Sequence, residues 1–436
     1  MFDFDKHSKI VTTIVIFFYI LGGISLLSWP FNTSEFVTLM SVISIQCLGY
    51  IIFILRPSIP KKNIVFLVLV VTGLVLRVIT FYTEALLEDD YIRYLWDGRV
   101  LNNGINPYMF APDSPELDHL HTDYRENIGF LNIKTIYPPV AQYIFGFAHW
   151  VFGDSILGLK FIFAIFELSL SAVVYKYLGH LKDRRFLFLV YFLNPLLIFQ
   201  VYNGLHLDIA AIFFVFVAFW AFQRLRDSKK KSMIVAGLIA LGFQVKVFPL
   251  VIMPIFFKVN KNRILFLATF IGATLLLFAP FLSAGADLLS GFGAFSREWV
   301  FNASVFGLLS FLGGLLGIED QWVRAVVALL YVPFFTIIFF RLKQNDQLLR
   351  SILLAVYVLL LLSPVFNAWY LMWILPFAVL SREWIIVIHS FLIFLGYSWF
   401  EFPALYPYLV GLEYGLLLVA AVILHRKRVL FRGVIS

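Results

Sequence analysis

Residues 63–90 read NIVFLVLVVTGLVLRVITFYTEALLEDD, and they give the strongest indication of the architecture. Residues 63–83 contain one charged side chain, Arg77, and are long enough for a helix to cross a bilayer, which takes about 20 apolar residues. Three consecutive acidic residues, 88–90, follow shortly after the apolar run. The sequence therefore predicts a membrane-spanning helix that places a group of carboxylates close to one membrane surface.

Apolar runs of this kind recur along the whole chain. The 436 residues are 61% hydrophobic and only 14% charged, whereas an ordinary soluble domain is about 25% charged. We expect an all-α, polytopic transmembrane helix bundle that forms one integral domain over residues 1–436. The net charge of +8 does not indicate nucleic-acid binding, because the basic residues lie in short loops between apolar runs. The predicted spans, about twelve, are 10–29, 37–55, 63–83, 156–178, 186–202, 207–225, 264–282, 322–340, 348–362, 368–380, 384–399 and 408–424.

Two apolar stretches do not fit a simple crossing. Residues 137–153 are short and begin with a pair of prolines after Tyr137, and residues 233–257 are interrupted by Lys246 and Pro249. If either stretch crossed once, nearby basic loops would lie outside, against the tendency of Lys and Arg to stay in cytoplasmic loops. We predict a re-entrant or interfacial helix for the first stretch and two half-helices that meet at Lys246 for the second. A broken backbone at membrane depth must be shielded, so this break predicts a cavity.

The same bias of Lys and Arg predicts the orientation. With both termini in the cytoplasm, most of the 34 basic residues lie on the inner side. Two long segments then lie outside, residues 84–136 and residues 283–321. The first, which we call the acidic loop, holds ten acidic and four basic residues. Acidic residues contribute little to topology and long loops are often functional, so we expect the acidic loop to carry the chemistry.

The centre of the acidic loop reads EDDYIRYLWDGRVLNNGINPY, residues 88–108. A helix is expected from Asp90 to Arg99, and Asp89 would pair with Arg93 one turn later. Residue types alone leave two interpretations open. The loop could be a solvated segment with a few ion pairs, or its crowded acids could form a general base or a cation site. The residues expected to share one helix face are Asp90, Arg93, Tyr94 and Asp97.

Short motifs follow one another in a fixed order. The acidic loop contains DDYIRYLWDGR at 89–99 and GINPY at 104–108, and YPP at 137–139 follows directly after the loop. In this order the motifs resemble those of GT-C glycosyltransferases, most closely the bacterial family 87 and polyprenol-phosphomannose-dependent mannosyltransferases. Ala303 and the pair Asn367-Ala368 depart from the residues usual in that family, and the two spans before residue 63 look like an addition. The later motifs that resemble the family are NPL at 194–196, NGLHLD at 203–208, VKVFPL at 245–250, WVFNASVF at 299–306 and SPVFNAWY at 363–370.

The resemblance implies an inverting glycosyltransferase, in the first place a mannosyltransferase, in a bacterial inner membrane. It would move a sugar from a polyprenyl-phosphate donor to a lipid-linked or glycan acceptor at the outer face. Such a reaction needs a base for the acceptor hydroxyl and charge stabilisation for the departing phosphate. Asp90 aligns with the family's catalytic aspartate, and Asp89 is the alternative. No cofactor is implied, although the acidic cluster could bind Mg²⁺ or Mn²⁺ through hard oxygen ligands.

Substrate-binding residues are expected on the same side of the membrane. Lys246 is the first candidate for the phosphate, because a lysine at membrane depth is costly unless it serves a function, although it could also snorkel to the surface. Arg77 could reach the same site. The other residues predicted to bind substrate are Arg93, Tyr94, Asp97 and Arg99 in the acidic loop, His206 and Asp208 in one turn, Arg297 and Asn302 in the second outer segment, and Trp369 and Tyr370.

Two other functions stay open at this point. A transporter or flippase fits the break at Lys246 and the mid-span Glu167, but no internal repeat is evident and ten acids in one outer loop are unusual for a transporter. The third hypothesis is a non-catalytic GT-C-like protein. It stays open because Ala303 and Asn367-Ala368 differ from the residues usual in the family.

Overall fold

The computed structural model describes residues 4–28, 34–55, 63–343 and 347–432. In these residues the regular structure is helical apart from one isolated bridge between Phe301 and Val365, which confirms the all-α prediction. The helices are α1 (Phe4–Ser28), α2 (Glu35–Leu55), α3 (Asn63–Phe81), α4 (Asp90–Asn102), α5 (Pro139–Phe152), α6 (Ile156–Tyr177), α7 (Arg184–Phe192), α8 (Pro195–Tyr202), α9 (Asp208–Arg224), α10 (Lys229–Val245), α11 (Pro249–Val259), α12 (Arg263–Phe278), α13 (Ser290–Glu298), α14 (Val305–Leu315), α15 (Asp320–Arg341), α16 (Leu348–Leu362), α17 (Leu375–Ser381), α18 (Trp384–Leu392) and α19 (Tyr406–Arg432).

Among the described residues, six helical segments are long and apolar enough to cross a membrane, or seven if the pair α7 and α8, bent by 42°, counts as one span. About twelve spans are therefore not confirmed. The predicted spans 348–362 and 384–399 correspond to shorter apolar segments, Leu348–Leu362 and Trp384–Phe400. The predicted span 10–29 lies in α1, whose apolar part is Ile10–Leu26, and residue 29 lies outside the described part. The predicted span 368–380 is a 3-10 turn, Ala368–Trp373, followed by α17. The six segments are Glu35–Leu55, Asn63–Phe81, Ile156–Tyr177, Arg263–Arg297, Asp320–Arg341 and Tyr406–Arg426.

The first unusual stretch is a short helix and the second is broken at Lys246, both as predicted. The first is α5, whose 14 residues are too few for a straight crossing. The second is interrupted between α10 and α11, where Lys246 is extended (φ −148°, ψ 149°). Pro249 is the first residue of α11, a position where its fixed φ suits a helix and its missing N–H costs nothing. The depth of α5 in the membrane stays a prediction. So does the placement of the far ends of α10 and α11, Lys229 and Val259, on the same side of the membrane.

The acidic loop folds around a small core of its own. Its helix α4 begins at Asp90, as predicted, and runs past Arg99 to Asn102. At Gly98 it packs tightly on α5, because a Cβ there would lie 2.5 Å from the carbonyl oxygen of Phe145. Only glycine permits this approach, which fixes the start of α4 relative to α5. The buried residues of the small core are Trp96, Val100, Leu117, Leu120 and Ile128.

The second outer segment, residues 283–321, contains helices α13 and α14 and is more ordered than a loop. Phe301, between them, receives a hydrogen bond from the Phe366 N–H (2.8 Å) and donates one to the Pro364 carbonyl (3.0 Å). These two bonds join the segment to residues 363–373. Two of the motifs identified in the sequence therefore touch each other.

Arg77 and Glu167 form a buried ion pair between α3 and α6. The Arg77 Nε and Nη2 atoms each lie 2.8 Å from a carboxylate oxygen of Glu167, and Tyr202 and Ser171 donate to the same carboxylate at 2.9 and 2.7 Å. Arg77 also donates to the Phe192 carbonyl. The pair therefore ties α3, α6 and α8 together, and Arg77 does not reach the predicted phosphate site.

Candidate active site

A cavity of about 990 Å³ lies between the acidic loop, the break between α10 and α11, and residues 363–373. Apolar residues of α11, α15 and α16 form one of its walls. The structure thus brings six of the predicted residues to one cavity, from segments up to 281 positions apart in the sequence (residues 89 to 370). The predicted residues that line it are Asp89, Asp90, Arg93, Lys246, Trp369 and Tyr370, and the charged or aromatic lining residues not predicted include Glu88, Lys134, Arg324 and Trp373.

Asp90 is half-buried at the start of α4, whereas Asp89 is exposed at the cavity surface. Burial raises the pKa of Asp90 to about 6; the Lys246 ammonium lowers it, while the neighbouring Glu88 raises it further. Burial also raises the pKa of Asp89. A carboxyl group that titrates near pH 6 is well matched to a general base at neutral pH.

Glu88 is the third acid of the cluster and was not selected from the sequence. Its carboxylate accepts a hydrogen bond from the Tyr397 hydroxyl and lies 3.6 Å from His206 Nε2. Burial raises the pKa of Glu88 well above its usual value, and the neighbouring Asp89 raises it further. The signal available in the sequence was the run of three acids itself, but nothing pointed to its distant partner Tyr397.

Lys246 extends into the cavity from the break between the two half-helices. Its Nζ lies 3.3 Å from Asp208 Oδ2 and faces the rings of Tyr137 and Tyr370 at 5.6 and 5.8 Å. Asp208 is fully buried and also accepts a hydrogen bond from Trp373 Nε1 at 2.6 Å. Asp208 therefore orients Lys246 and does not itself line the cavity.

His206 is fully buried directly behind the cavity wall. Its ring stacks on Trp369 with centroids 3.7 Å apart. Burial lowers the pKa of His206 to about 4, so the ring is neutral at pH 7. Within the described residues, four buried polar atoms here have no hydrogen-bond partner: both ring nitrogens of His206, Trp369 Nε1 and the Tyr94 hydroxyl. Buried polar groups are normally satisfied, so four unpaired atoms next to one cavity are unusual.

The remaining residues of α4 have mainly structural contacts. Arg93 pairs with Asp97 at 2.8 Å and donates to the Ile133 carbonyl; the predicted pair of Asp89 with Arg93 is wrong, because the Arg93 side chain turns toward the next helical turn. Asp97 is buried and accepts from Thr135 (2.6 Å) and Gln142 (3.0 Å).

Two further predicted residues of α4 also lie away from the cavity. Tyr94 is fully buried and stacks on Phe145, with its hydroxyl behind the cavity wall. Arg99 pairs with Asp154, which also accepts from Tyr124. Neither residue lines the cavity, so within α4 only Asp90 and Arg93 do so directly.

The second outer segment contributes different residues from those predicted. Arg297 is exposed on α13 and does not line the cavity. Asn302 is fully buried, where its side chain donates to Glu413 (3.2 Å) and its carbonyl accepts from Tyr414 (2.8 Å). Arg324 of α15 lines the cavity instead and is held by the carbonyls of Ser296 and Trp299. No sequence motif marked Arg324.

The carboxylates of the cavity do not form an evident metal site. Throughout the described part of the chain, no group of three or more His, Cys, Asp or Glu side chains is arranged to hold a metal ion. Binding of Mg²⁺ or Mn²⁺ stays a prediction.

The comparisons with known proteins identify a family. The sequence model described as alpha-(1->6)-mannopyranosyltransferase, N-terminal domain, matches residues 38–261, just over half of the chain. The matched region contains Asp89, Asp90, His206 and Lys246. No curated protein and no solved structure matches the chain significantly. The length of the family match shows that the chain belongs to the alpha-(1->6)-mannopyranosyltransferase family.

Proposed function

We propose that the protein is an inverting mannosyltransferase that takes mannose from a polyprenyl-phosphate donor at the outer face of the membrane. The observation that carries the proposal is the shared cavity of Asp90 and Lys246, one a carboxylate suited to a base and the other a cation suited to a phosphate. The acceptor is a lipid-linked or glycan hydroxyl. The membership in a mannosyltransferase family supports the choice of sugar.

Asp90 is the proposed base. Its carboxylate takes the proton of the acceptor hydroxyl as the oxygen attacks the anomeric carbon, while the bond from that carbon to the phosphate oxygen breaks. Attack from the face opposite the phosphate inverts the anomeric configuration. Asp89 is the alternative base, but it is the more exposed of the two, so its carboxylate is closer to an ordinary solvated acid.

Lys246 is the proposed partner of the leaving phosphate. Polyprenyl phosphate leaves as an anion and needs charge stabilisation more than protonation. The Lys246 ammonium is already oriented by Asp208 and has two aromatic rings beside it. Arg93 and Arg324 also line the cavity. Arg93 is paired with Asp97, so Arg324 is the further cation that can balance part of a phosphate charge.

The shape of the cavity also favours a lipid-linked donor. One wall consists of apolar residues of α11, α15 and α16, among them Val251, Val332 and Leu359. Val332 is 61% exposed on the outer surface of α15, so the apolar wall is continuous with the surface that membrane lipid would cover. The polyprenyl chain would lie on this wall, and the sugar would lie against Trp369 and Tyr370, since aromatic faces pack well on sugar rings.

The membrane placement belongs to the same proposal. The protein would be a multi-pass protein of a bacterial inner membrane, with both termini in the cytoplasm and the cavity at the outer surface. The support is the charge bias of the loops, which places the acidic loop outside. The variant Asp123→Cys, at an exposed position of the acidic loop, tests this orientation. A membrane-impermeant maleimide should label it on intact cells.

The decisive test is transfer in a defined system. Purified protein in vesicles should transfer radiolabelled mannose from polyprenyl-phosphomannose to an added glycolipid acceptor, and should not use a nucleotide sugar. Asp90→Asn should abolish transfer, whereas the exposed control Asp123→Asn should retain it. Full activity of both Asp90→Asn and Asp89→Asn would refute the mechanism.

A transporter or flippase is the competing function, and the break at Lys246 is the observation that favours it. The same vesicles separate the two functions. Movement of a lipid-linked sugar across the bilayer that survives the loss of Asp89 and Asp90, without any transfer, would favour a flippase.

A further inference from the structure

A second cavity, which we call the basic cavity, lies where four helices end. It has a volume of about 1130 Å³ and is surrounded by the start of α10, the end of α11, the start of α12 and the residues after α15. It shares no lining residue with the cavity that contains Asp90. Its polar lining residues include Lys229, Lys258, Asn260, Lys261, Arg263 and Lys343.

The cations of the basic cavity greatly outnumber the nearby acids. Asp227 pairs with Lys261 at 2.8 Å and also with Lys231, outside the cavity. Within the described residues, Lys229, Lys258, Arg263 and Lys343 have no ion pair with a carboxylate. Positive side chains so close together repel one another unless an anion lies between them.

The contacts of Lys258 hold its ammonium group at the basic cavity. Its ammonium donates to the Phe339 carbonyl near the end of α15 and lies 4.6 Å from the Phe339 ring. Arg263 donates to the Lys258 carbonyl at 2.9 Å. Both contacts use only part of the donor capacity of the two side chains, since an ammonium has three N–H groups and a guanidinium five.

Two further sets of donors face the same space. Asn260 is buried, 4% exposed, and its Oδ1 accepts from Ser232 (2.7 Å) and from the Asn262 N–H (3.1 Å), but its Nδ2 donor has no partner among the described residues. The N-terminus of α12 is uncapped, because the Asn262 side chain makes no capping hydrogen bond. The first N–H groups of a helix attract anions. Every unsatisfied group identified at this site is therefore a donor or a cation.

The helix that begins at this site also carries an exposed apolar surface. Along α12, Ile264, Ile271 and Leu275 are 87%, 47% and 63% exposed, and α12 is part of a segment apolar enough to span a membrane. A phosphate held at the N-terminus of α12 would thus lie at headgroup level, with its acyl chains along the helix. A free phosphate ion would use only the donors and leave this surface uncovered.

We propose that the basic cavity binds the phosphate headgroup of an anionic membrane phospholipid, whose acyl chains cover the exposed face of α12. The proposal is independent of the glycosyl transfer, because the site lies apart from Asp90. Basic pockets between membrane helices at a cytoplasmic surface are suited to such lipids, and the orientation expected from the loop charges places this cavity there. The lipid would join the ends of α11, α12 and α15.

Lipid binding can be measured by native mass spectrometry of the full-length protein. After delipidation, the protein is titrated with phosphatidylglycerol, with phosphatidylcholine of the same acyl chains, and with inorganic phosphate. One lipid should bind with a preference for phosphatidylglycerol, and Arg263→Gln/Lys343→Gln should weaken it. A basic residue near an anionic headgroup is worth about 1 kcal/mol, so the double variant should lose roughly 30-fold in affinity.

Asn260→Asp is the sharper variant, because it preserves the acceptor for Ser232 but replaces the unpartnered Nδ2 donor by a carboxylate oxygen that repels phosphate. The matched control is Lys182→Gln/Arg224→Gln, which removes the same net charge from other exposed positions and should leave binding unchanged. Equal binding of the two phospholipids, or an equal loss in the control, would overturn the proposal. Inorganic phosphate that competes at the same concentration as the lipid would overturn it in favour of a free-ion site.

Discussion

The titration of Asp90 gives the most direct test of the proposed base. Burial raises the pKa of this carboxyl to about 6, and only the ionised form can accept a proton from the acceptor hydroxyl. One pH unit below the pKa, about a tenth of the protein carries the active form, and one unit above, about nine tenths does. The value of kcat/KM should therefore fall about tenfold for each pH unit below 6 and level off above 7.

The substitution Asp90→Asn should remove both the activity and its titration. A positioned general base contributes roughly 10²- to 10⁴-fold to a rate, so the variant should lose at least about 100-fold, with a residual rate that no longer changes around pH 6. His206 does not confuse the profile, because burial lowers its pKa to about 4. The residue is thus neutral throughout the relevant range.

The assay is the initial rate of radiolabelled mannose transfer from polyprenyl-phosphomannose between pH 4.5 and 8.5 at constant ionic strength. Asp123→Asn, an exposed acid of the same loop, should keep the profile of the unchanged protein. If chemical transfer is the rate-limiting step and kcat/KM of the wild-type protein does not change with pH, the assignment of Asp90 as the base is contradicted. An Asp90→Asn variant that retained the inflection near pH 6 would contradict it as well.

Three further substitutions test the surroundings of the site. Asp208→Asn keeps an acceptor for the Trp373 indole but removes the charge that orients Lys246. The KM for the donor should therefore rise roughly tenfold or more. An unchanged KM would contradict the orienting role of Asp208. Glu167→Ala leaves its arginine partner buried and unpaired, and should lower stability by about 3 kcal/mol or more, measured by thermal unfolding in detergent; an unchanged Tm would count against the ion pair. Gly98→Ala introduces a methyl group against the α5 backbone and should lower the free energy of unfolding by about 1–3 kcal/mol and reduce transfer. In the control Gly237→Ala a Cβ meets no neighbour within 4 Å. This control should keep the transfer rate and should leave stability unchanged or slightly higher.

Local features of the site were predictable because they depend on neighbours in the chain. The start of α4 at Asp90 and the break at Lys246 follow from the acidic run, the proline and the apolar periodicity around them. The convergence of Asp90, Lys246 and Trp369 follows from placing their segments on one side of a membrane. These predictions needed hydropathy, charge bias and motif order, but no knowledge of packing.

Long-range partners were not predictable in this way. Arg99 was assigned to the substrate, but its partner is Asp154, which lies beyond α5. Asn302 lies in a motif of the family, yet its side chain donates a hydrogen bond to Glu413, more than 100 positions later. Arg324 stands near the start of a predicted span, where an arginine that reaches the membrane surface is unremarkable in sequence. Each of these outcomes depends on which helices pack together.

The number of spans is not confirmed for a related reason. Hydropathy marks every apolar run, but bends and 3-10 turns divide several runs into helices shorter than a bilayer crossing. Residues 368–380 are apolar throughout, yet they form a 3-10 turn and a short helix around Trp369. Residues that line a site in this fold can be as apolar as residues that face lipid, so hydropathy alone does not separate them.

The cavity with Asp90 has walls of two different chemical kinds, taken from the two halves of the chain. Glu88, Asp89, Asp90 and Lys246 lie within the part that matches the family, whereas the aromatic wall of Trp369, Tyr370 and Trp373 comes from after it. If the proposed function holds, the base and Lys246 come from the matched part and the aromatic wall from the later part. Substitutions of the aromatic wall would then be the first to try for a change in the accepted sugar or acceptor.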